Sequence, residues 1–144
     1  MKEQHYRMSL DQKRQAIETI TNFLSAKDEI DFAFLYGSFN DYDDNLAFHD
    51  IDIGVYVHEI EERRATYYAL ELSDQLSLLL HVTVDVRVLN FAPVPFLYHV
   101  INGELILEKD EDRRCDFVEY VLRHYLDMKP LWLRSIKEAF SDGA

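Results

Sequence analysis

The stretch Gly37 to Val57, GSFNDYDDNLAFHDIDIGVYV, constrains this chain more than any other. Just before it, Phe32, Ala33, Phe34, Leu35 and Tyr36 form an unbroken apolar run that predicts a buried strand, and Gly37-Ser38 marks where that strand must turn. A second strand is predicted to start at Asp50. In an extended chain alternate side chains share a face, so Asp50, Asp52, Gly54 and Tyr56 point one way while Ile51, Ile53, Val55 and Val57 point the other.

Two carboxylates side by side repel, and each tends to stay protonated unless a cation neutralises the pair. A divalent ion does this well: Mg²⁺ takes hard oxygen ligands, usually one or two carboxylates plus substrate phosphates. Asp-x-Asp alone is common on solvent-facing edge strands, so the motif draws its weight from its surroundings. A Gly-Ser turn beside it supplies the second half of a phosphate site: Gly37 lets the backbone approach closely, and Ser38 offers a hydroxyl and an N–H.

Further along, Val82, Val84, Val86 and Val88 alternate with Thr83, Asp85, Arg87 and Leu89, which predicts a strand with one aliphatic face and Asp85 turned away from it. An aspartate there must be solvated, paired with Arg87, or used. The helices are equally legible. Leu10, Ile17, Ile20, Phe23 and Leu24 predict a helix over 10–26, capped by Ser9 or Asp11. Tyr68, Leu72, Leu76 and Leu79 form the core stripe of another, with Glu59, Glu61 and Glu62 at its start. Pro93 and Pro95 open a short helix that Gly103 closes, a strand follows over Glu104–Glu108, and Phe117 to Leu126 predict a last helix interrupted near Pro130, with a helical tail after it. Strands alternating with helices make an α/β (α+β) unit.

The spacing Gly37-Ser38, eleven residues, Asp50-Ile51-Asp52 resembles the signature of the DNA polymerase β-type nucleotidyltransferase superfamily. Within it the chain looks like the minimal nucleotidyltransferase (MNT) group, the MntA-like antitoxins that partner HEPN proteins. The resemblance runs from about Leu10 to Leu126 and implies a small mixed β-sheet backed by helices. It also implies two Mg²⁺ ions (or Mn²⁺) held by Asp50, Asp52 and Asp85, ATP as substrate, and transfer of AMP to a tyrosine of a separately encoded HEPN-type RNase toxin. Asp85 takes the role of the third metal-binding carboxylate by this resemblance alone. The alternatives are a small-molecule adenylyltransferase of the aminoglycoside type, for whose extra helical domain the chain has little room, and an antitoxin that acts by binding alone.

One departure from the family pattern stands out. No Lys or Arg occurs between Lys27 and Arg63, and the spacer carries Asp41, Asp43 and Asp44. Neutralising a triphosphate therefore falls to metals, backbone N–H groups, and Arg87 or Arg63 reaching in. His49 is expected to point with Ile51, out of the site.

At 144 residues the chain is expected to form one domain, with a core over about 10–127 and a helical tail over about 128–140. A net charge of −12 repels a nucleic-acid backbone, so bulk DNA or RNA is not an expected partner, whereas a basic protein surface is compatible. Cys115, the sole cysteine, excludes an intrachain disulfide and is expected to be buried. No run approaches membrane-spanning length and the N-terminus lacks a signal-like apolar core, so a cytoplasmic location is expected.

Overall fold

The computed structural model describes residues 6–40 and 47–142; Asp41, Asp43 and Asp44 of the spacer lie outside the described residues. The elements run α1 (Leu10–Ser25), β1 (Ile30–Tyr36), a one-turn 3₁₀ helix (Ser38–Asn40), β2 (Ile51–Val57), α2 (Glu62–Leu80), β3 (Val84–Val88), α3 (Val94–Ile101), β4 (Glu104–Glu108) and α4 (Glu111–Asp142).

The four strands form one sheet in the order β3-β2-β1-β4. β1 runs antiparallel to both β2 and β4, while β2 and β3 are parallel. A parallel pair needs a crossover long enough to return the chain to the same end of the sheet, and α2 supplies it. The expected mixed sheet backed by helices is therefore present.

Helices cover both faces, which explains why every residue of β1 is buried. On the first face Ala33, Leu35, Ile51, Ile53, Val55, Val84 and Val86 pack with Ile20 and Leu24 of α1 and with Leu72 and Leu76 of α2. On the second, Phe32, Phe34, Tyr36 and Leu89 pack with Leu97 and Val100 of α3 and with Phe117 and Val121 of α4. Ser9 caps α1 through a reciprocal bond pair with Gln12. The outer edge of β3 is closed by α2, because the Val84 and Val86 N–H groups donate to Ser77 Oγ and Ser73 Oγ at 2.9 and 2.8 Å.

The structure departs from the sequence expectations at several places. β2 begins at Ile51, not Asp50, and β3 at Val84, not Val82. β1 begins at Ile30, two residues before the apolar run. Leu79 is half exposed, because the neighbouring Leu80 takes the position against the core in the last turn of α2. Cys115 lies on the outer side of α4 and is exposed, not buried. α4 also continues through Pro130, where the missing N–H leaves the Leu126 carbonyl without a donor; both residues are exposed, so water can take that carbonyl.

Candidate active site

Strand register brings three residues into one row. Tyr36 on β1 is opposite Asp52 on β2, and Asp52 is opposite Asp85 on β3. Because Ile51, Ile53, Val84 and Val86 fill the first face, Asp52 and Asp85 must project from the second, at the end of the sheet that α4 leaves uncovered. Asp50 immediately precedes β2, close enough for its charge to act on Asp52. The sequence thus anticipated the trio, and the parallel β2–β3 pairing is what joins Asp85 to the other two.

The electrostatics show how closely these groups sit. Burial, followed by repulsion from Asp50 and Asp85, pushes the Asp52 carboxyl up to about 6, against a weaker opposite pull from Arg87 and His99. The Tyr36 hydroxyl is raised well above the ordinary phenol range, first by burial and then by Asp52, so it stays protonated. Arg87 Nε lies 3.4 Å from Asp85 Oδ2, and the guanidinium sits 5.5 Å from the centre of the Phe96 ring. Asp85 is therefore both paired and available, since its side chain remains 40% exposed.

Gly37 closes the site from the β1 side. Its φ of 81° lies in the left-handed region, and a Cβ there would collide with Asp52 Oδ2. The turn backbone and the carboxylate are thus in contact, and any side chain at 37 would displace one of them. Ser38 follows at the start of the one-turn helix and is exposed; Asn40 N–H donates to the Gly37 carbonyl at 3.1 Å. Phe39 anchors the turn by burying its ring edge-on against Phe48, 4.8 Å between centroids. His49 is exposed, outside the row of carboxylates.

Of the two candidate phosphate-neutralising arginines, the fold places only Arg87 beside the carboxylates. Arg63 lies in the first turn of α2 with Nε 2.6 Å from Glu61 Oε2, and it is not among the charges acting on Asp52. Two contributors were not singled out in the sequence. Tyr36 ends the strand facing Asp52, and His99 comes from α3 to pack on Tyr36 and act on Asp52. Tyr36 was adjacent to the motif and could have been found; His99 carries no local signal, because only folding brings its helix here.

The donor set suits a hard divalent cation: three carboxylates, one of them made reluctant to ionise by burial and by the other two, with the Gly37 backbone pressed against it. Among the described residues, however, no three His, Cys, Asp or Glu side chains converge on a single point as a finished cage. Like charges without a counter-ion turn apart, and Asp85 turns to Arg87. Beside Asp85 a groove of about 600 Å³ opens between α2 and the start of α3, walled by Thr66, Leu70, Arg87, Phe91 and Phe96.

Residues 18–112 match the sequence model of the family described as polymerase beta, nucleotidyltransferase. No curated protein sequence matches the chain significantly. Among solved structures, the fold is similar to a chain of the complex between tri-AMPylated Shewanella oneidensis HEPN toxin and MNT antitoxin, at TM-score 0.69 and 17% identity over 89% of this chain and 98% of that one. It is similar also to a chain of the toxin-antitoxin MntA-HepT, at TM-score 0.67 and 17% identity over 88% and 98%. A third similar chain comes from a toxin-antitoxin with AMP-PNP, at TM-score 0.63 and 15% identity over 92% and 99%.

Proposed function

The chain belongs to the polymerase beta nucleotidyltransferase family, and on that premise we propose that it is a metal-dependent enzyme transferring AMP from ATP to a hydroxyl. The acceptor is a tyrosine of a separately encoded HEPN-type RNase toxin, so that the protein acts as an antitoxin. The observation that carries the chemistry is the placement of Asp52 opposite Asp85, with Asp50 beside them, at an open end of the sheet. The acceptor class draws its support from the similar folds, which include the antitoxin partner of a tri-AMPylated HEPN toxin.

Asp50, Asp52 and Asp85 are the residues that would hold Mg²⁺. When bound, the ions supply charge neutralisation for the phosphates and lower the pKa of the attacking hydroxyl. The remaining work belongs to the chain. The Gly37 turn lets backbone N–H groups approach phosphate oxygens, a contact that a larger residue would prevent. Arg87, braced on Phe96, adds positive charge where the spacer has none. The acceptor enters through the groove beside Asp85, which orients its hydroxyl and takes up its proton. The acceptor oxygen then bonds to the α-phosphorus as the bond to the bridging oxygen breaks, and pyrophosphate leaves. Holding the two reactants in line is most of the catalysis.

AMP on a toxin tyrosine adds negative charge and bulk where anionic RNA must bind. Incubating the toxin with this protein, ATP and Mg²⁺, then separating and weighing it, should reveal additions of about 329 Da each, the mass expected for the transfer chemistry. A toxin that stays unmodified and regains activity on separation would leave only binding as the mode of inhibition.

A further inference from the structure

The serines that close the edge of β3 stop one position short. Ile51 N–H donates to the Thr83 carbonyl and Leu89 N–H to the Val55 carbonyl, and the register between them is unbroken. Backbone groups of residues 83, 85, 87 and 89 therefore face β2, while those of Val84, Val86 and Val88 face outward. Ser77 takes the Val84 N–H and Ser73 the Val86 N–H. A step of four along a helix, about 6 Å, matches a step of two along a strand, about 6.6 Å, so the next position of α2 in this series, Ala69, falls beside Val88. Alanine has no hydroxyl. Among the described residues, neither the Val88 N–H nor the Val86 carbonyl has a hydrogen-bond partner.

The groove beside Asp85 opens at this place. It is lined by the four consecutive residues 85–88, so the backbone edge of β3 is itself the floor, with Ala65 and Ala69 on one side and Phe91 and Phe96 on the other. A free backbone donor and acceptor on a strand edge are complemented by another backbone in extended form, which supplies both groups at the strand's own repeat. In a strand added here, every second side chain stands on the face of Asp85 and Arg87. Those between turn toward Ala65 and Ala69, whose small side chains leave room for them.

We propose that the β3 edge at Val86 and Val88 holds the acceptor protein by strand addition: an extended segment pairs its backbone there and thereby presents its hydroxyl-bearing side chain to Asp85. This rests on the reading of Asp85 as the carboxylate that meets the acceptor. Register then selects which side chain of the segment is modified, and main-chain bonds supply the affinity.

The probe is a short end-blocked peptide of alternating Thr and Ala with one central Tyr. In amide exchange followed by NMR, the Val88 N–H of the free protein should exchange about tenfold or more faster than those of Val84 and Val86, and millimolar peptide should slow it. Two further peptides are N-methylated, one at the Tyr and at the second residue after it, the other at both neighbours of the Tyr. Only one of these sets faces β3 in an extended segment, so one peptide should lose binding and the other keep it. Ala69→Ser should extend the serine series, slow Val88 exchange in the free protein and weaken the peptide about fivefold or more, while the melting temperature and Mg²⁺-ATP binding stay as they were. A Val88 amide already as protected as that of Val86, no slowing by peptide, or loss of binding in neither or both N-methylated peptides overturns the proposal. So does self-association of the free protein that Ala69→Ser abolishes, because the occupant would then be a second copy. Weighing the unmethylated peptide after incubation with ATP and Mg²⁺ separates the two readings. A peptide that protects Val88 yet gains no AMP counts against transfer alone, whereas a toxin modified equally well by Ala69→Ser counts against strand addition alone.

Discussion

Asp52 and Asp85 face each other across the parallel β2–β3 pair, directly opposite in register. Two carboxylates at that spacing repel each other and attract a cation. The consequences of this single pairing can be measured.

Asp52 is the first. Its carboxyl is raised to about 6 in the folded protein from an ordinary value of 3.8, so ionising it disfavours the fold. The contribution of Asp52 to stability should be neutral below about pH 4, where the group is protonated in both states, and should become increasingly unfavourable as pH rises toward 6. Asp52→Asn should therefore raise the melting temperature of the metal-free protein at pH 7 by a few degrees, a stabilisation on the order of 1 kcal/mol after allowing for solvent screening. The gain should vanish near pH 4. A variant less stable than wild type at pH 7 would contradict the cost of burying this carboxylate beside two others.

Removing Asp50 and Asp52 together tests the metal. Asp50→Asn with Asp52→Asn should abolish Mg²⁺-dependent ATP binding in calorimetry while the circular dichroism spectrum is retained, because Asn keeps the shape and removes the charge. Undiminished binding would move the ion to other residues.

Asp85 and Arg87 can be separated by comparing stability with turnover. Their ion pair is substantially exposed, so neither Asp85→Asn nor Arg87→Ala should cost more than about 1 kcal/mol of stability. Asp85→Asn should nevertheless lower the rate of AMP transfer by about a hundredfold or more if it handles the acceptor proton. Arg87→Ala should act chiefly on the apparent affinity for ATP. Equal small losses of stability with transfer intact would leave Asp85 a surface residue.

Gly37 is predicted to tolerate nothing else. Gly37→Ala combines a left-handed backbone, costing about 1–2 kcal/mol for an L-residue, with a collision against Asp52 Oδ2. Denaturant unfolding should show a loss at the upper end of that range, and nucleotide binding should fall with it. Adding Asp52→Asn should not restore the stability, because the backbone penalty remains.

A control lies away from the site. Asp31 is buried on β1, with His58 Nδ1 at 2.7 Å and Arg113 Nη1 at 3.0 Å. Arg113→Ala should cost about 1.5–3 kcal/mol in urea unfolding by leaving a buried carboxylate with one partner fewer. Nucleotide binding should be unaffected at temperatures where the variant is folded.

The sequence alone determined whatever depends on neighbours along the chain. Alternation fixed which residues of β2 and β3 enter the core and which carry carboxylates away from it; the Gly37-Ser38 break fixed the turn; Ser9 and Gln12 fixed the start of α1. These are short-range effects of backbone geometry and side-chain direction, and one chain suffices to read them. What only the tertiary structure decided is everything that depends on pairing. Register set Tyr36, Asp52 and Asp85 in one row, and helix docking carried His99 to the site from α3 while leaving Arg63 with Glu61. Pro130 was read as a helix break because its missing hydrogen bond is a local penalty; the exposed position of α4 beyond the sheet lets water meet the orphaned carbonyl, so the helix runs on. Cys115 and Leu79 were assigned to the core by apolar character, yet burial depends on whether a partner surface lies opposite, and neither helix has one there.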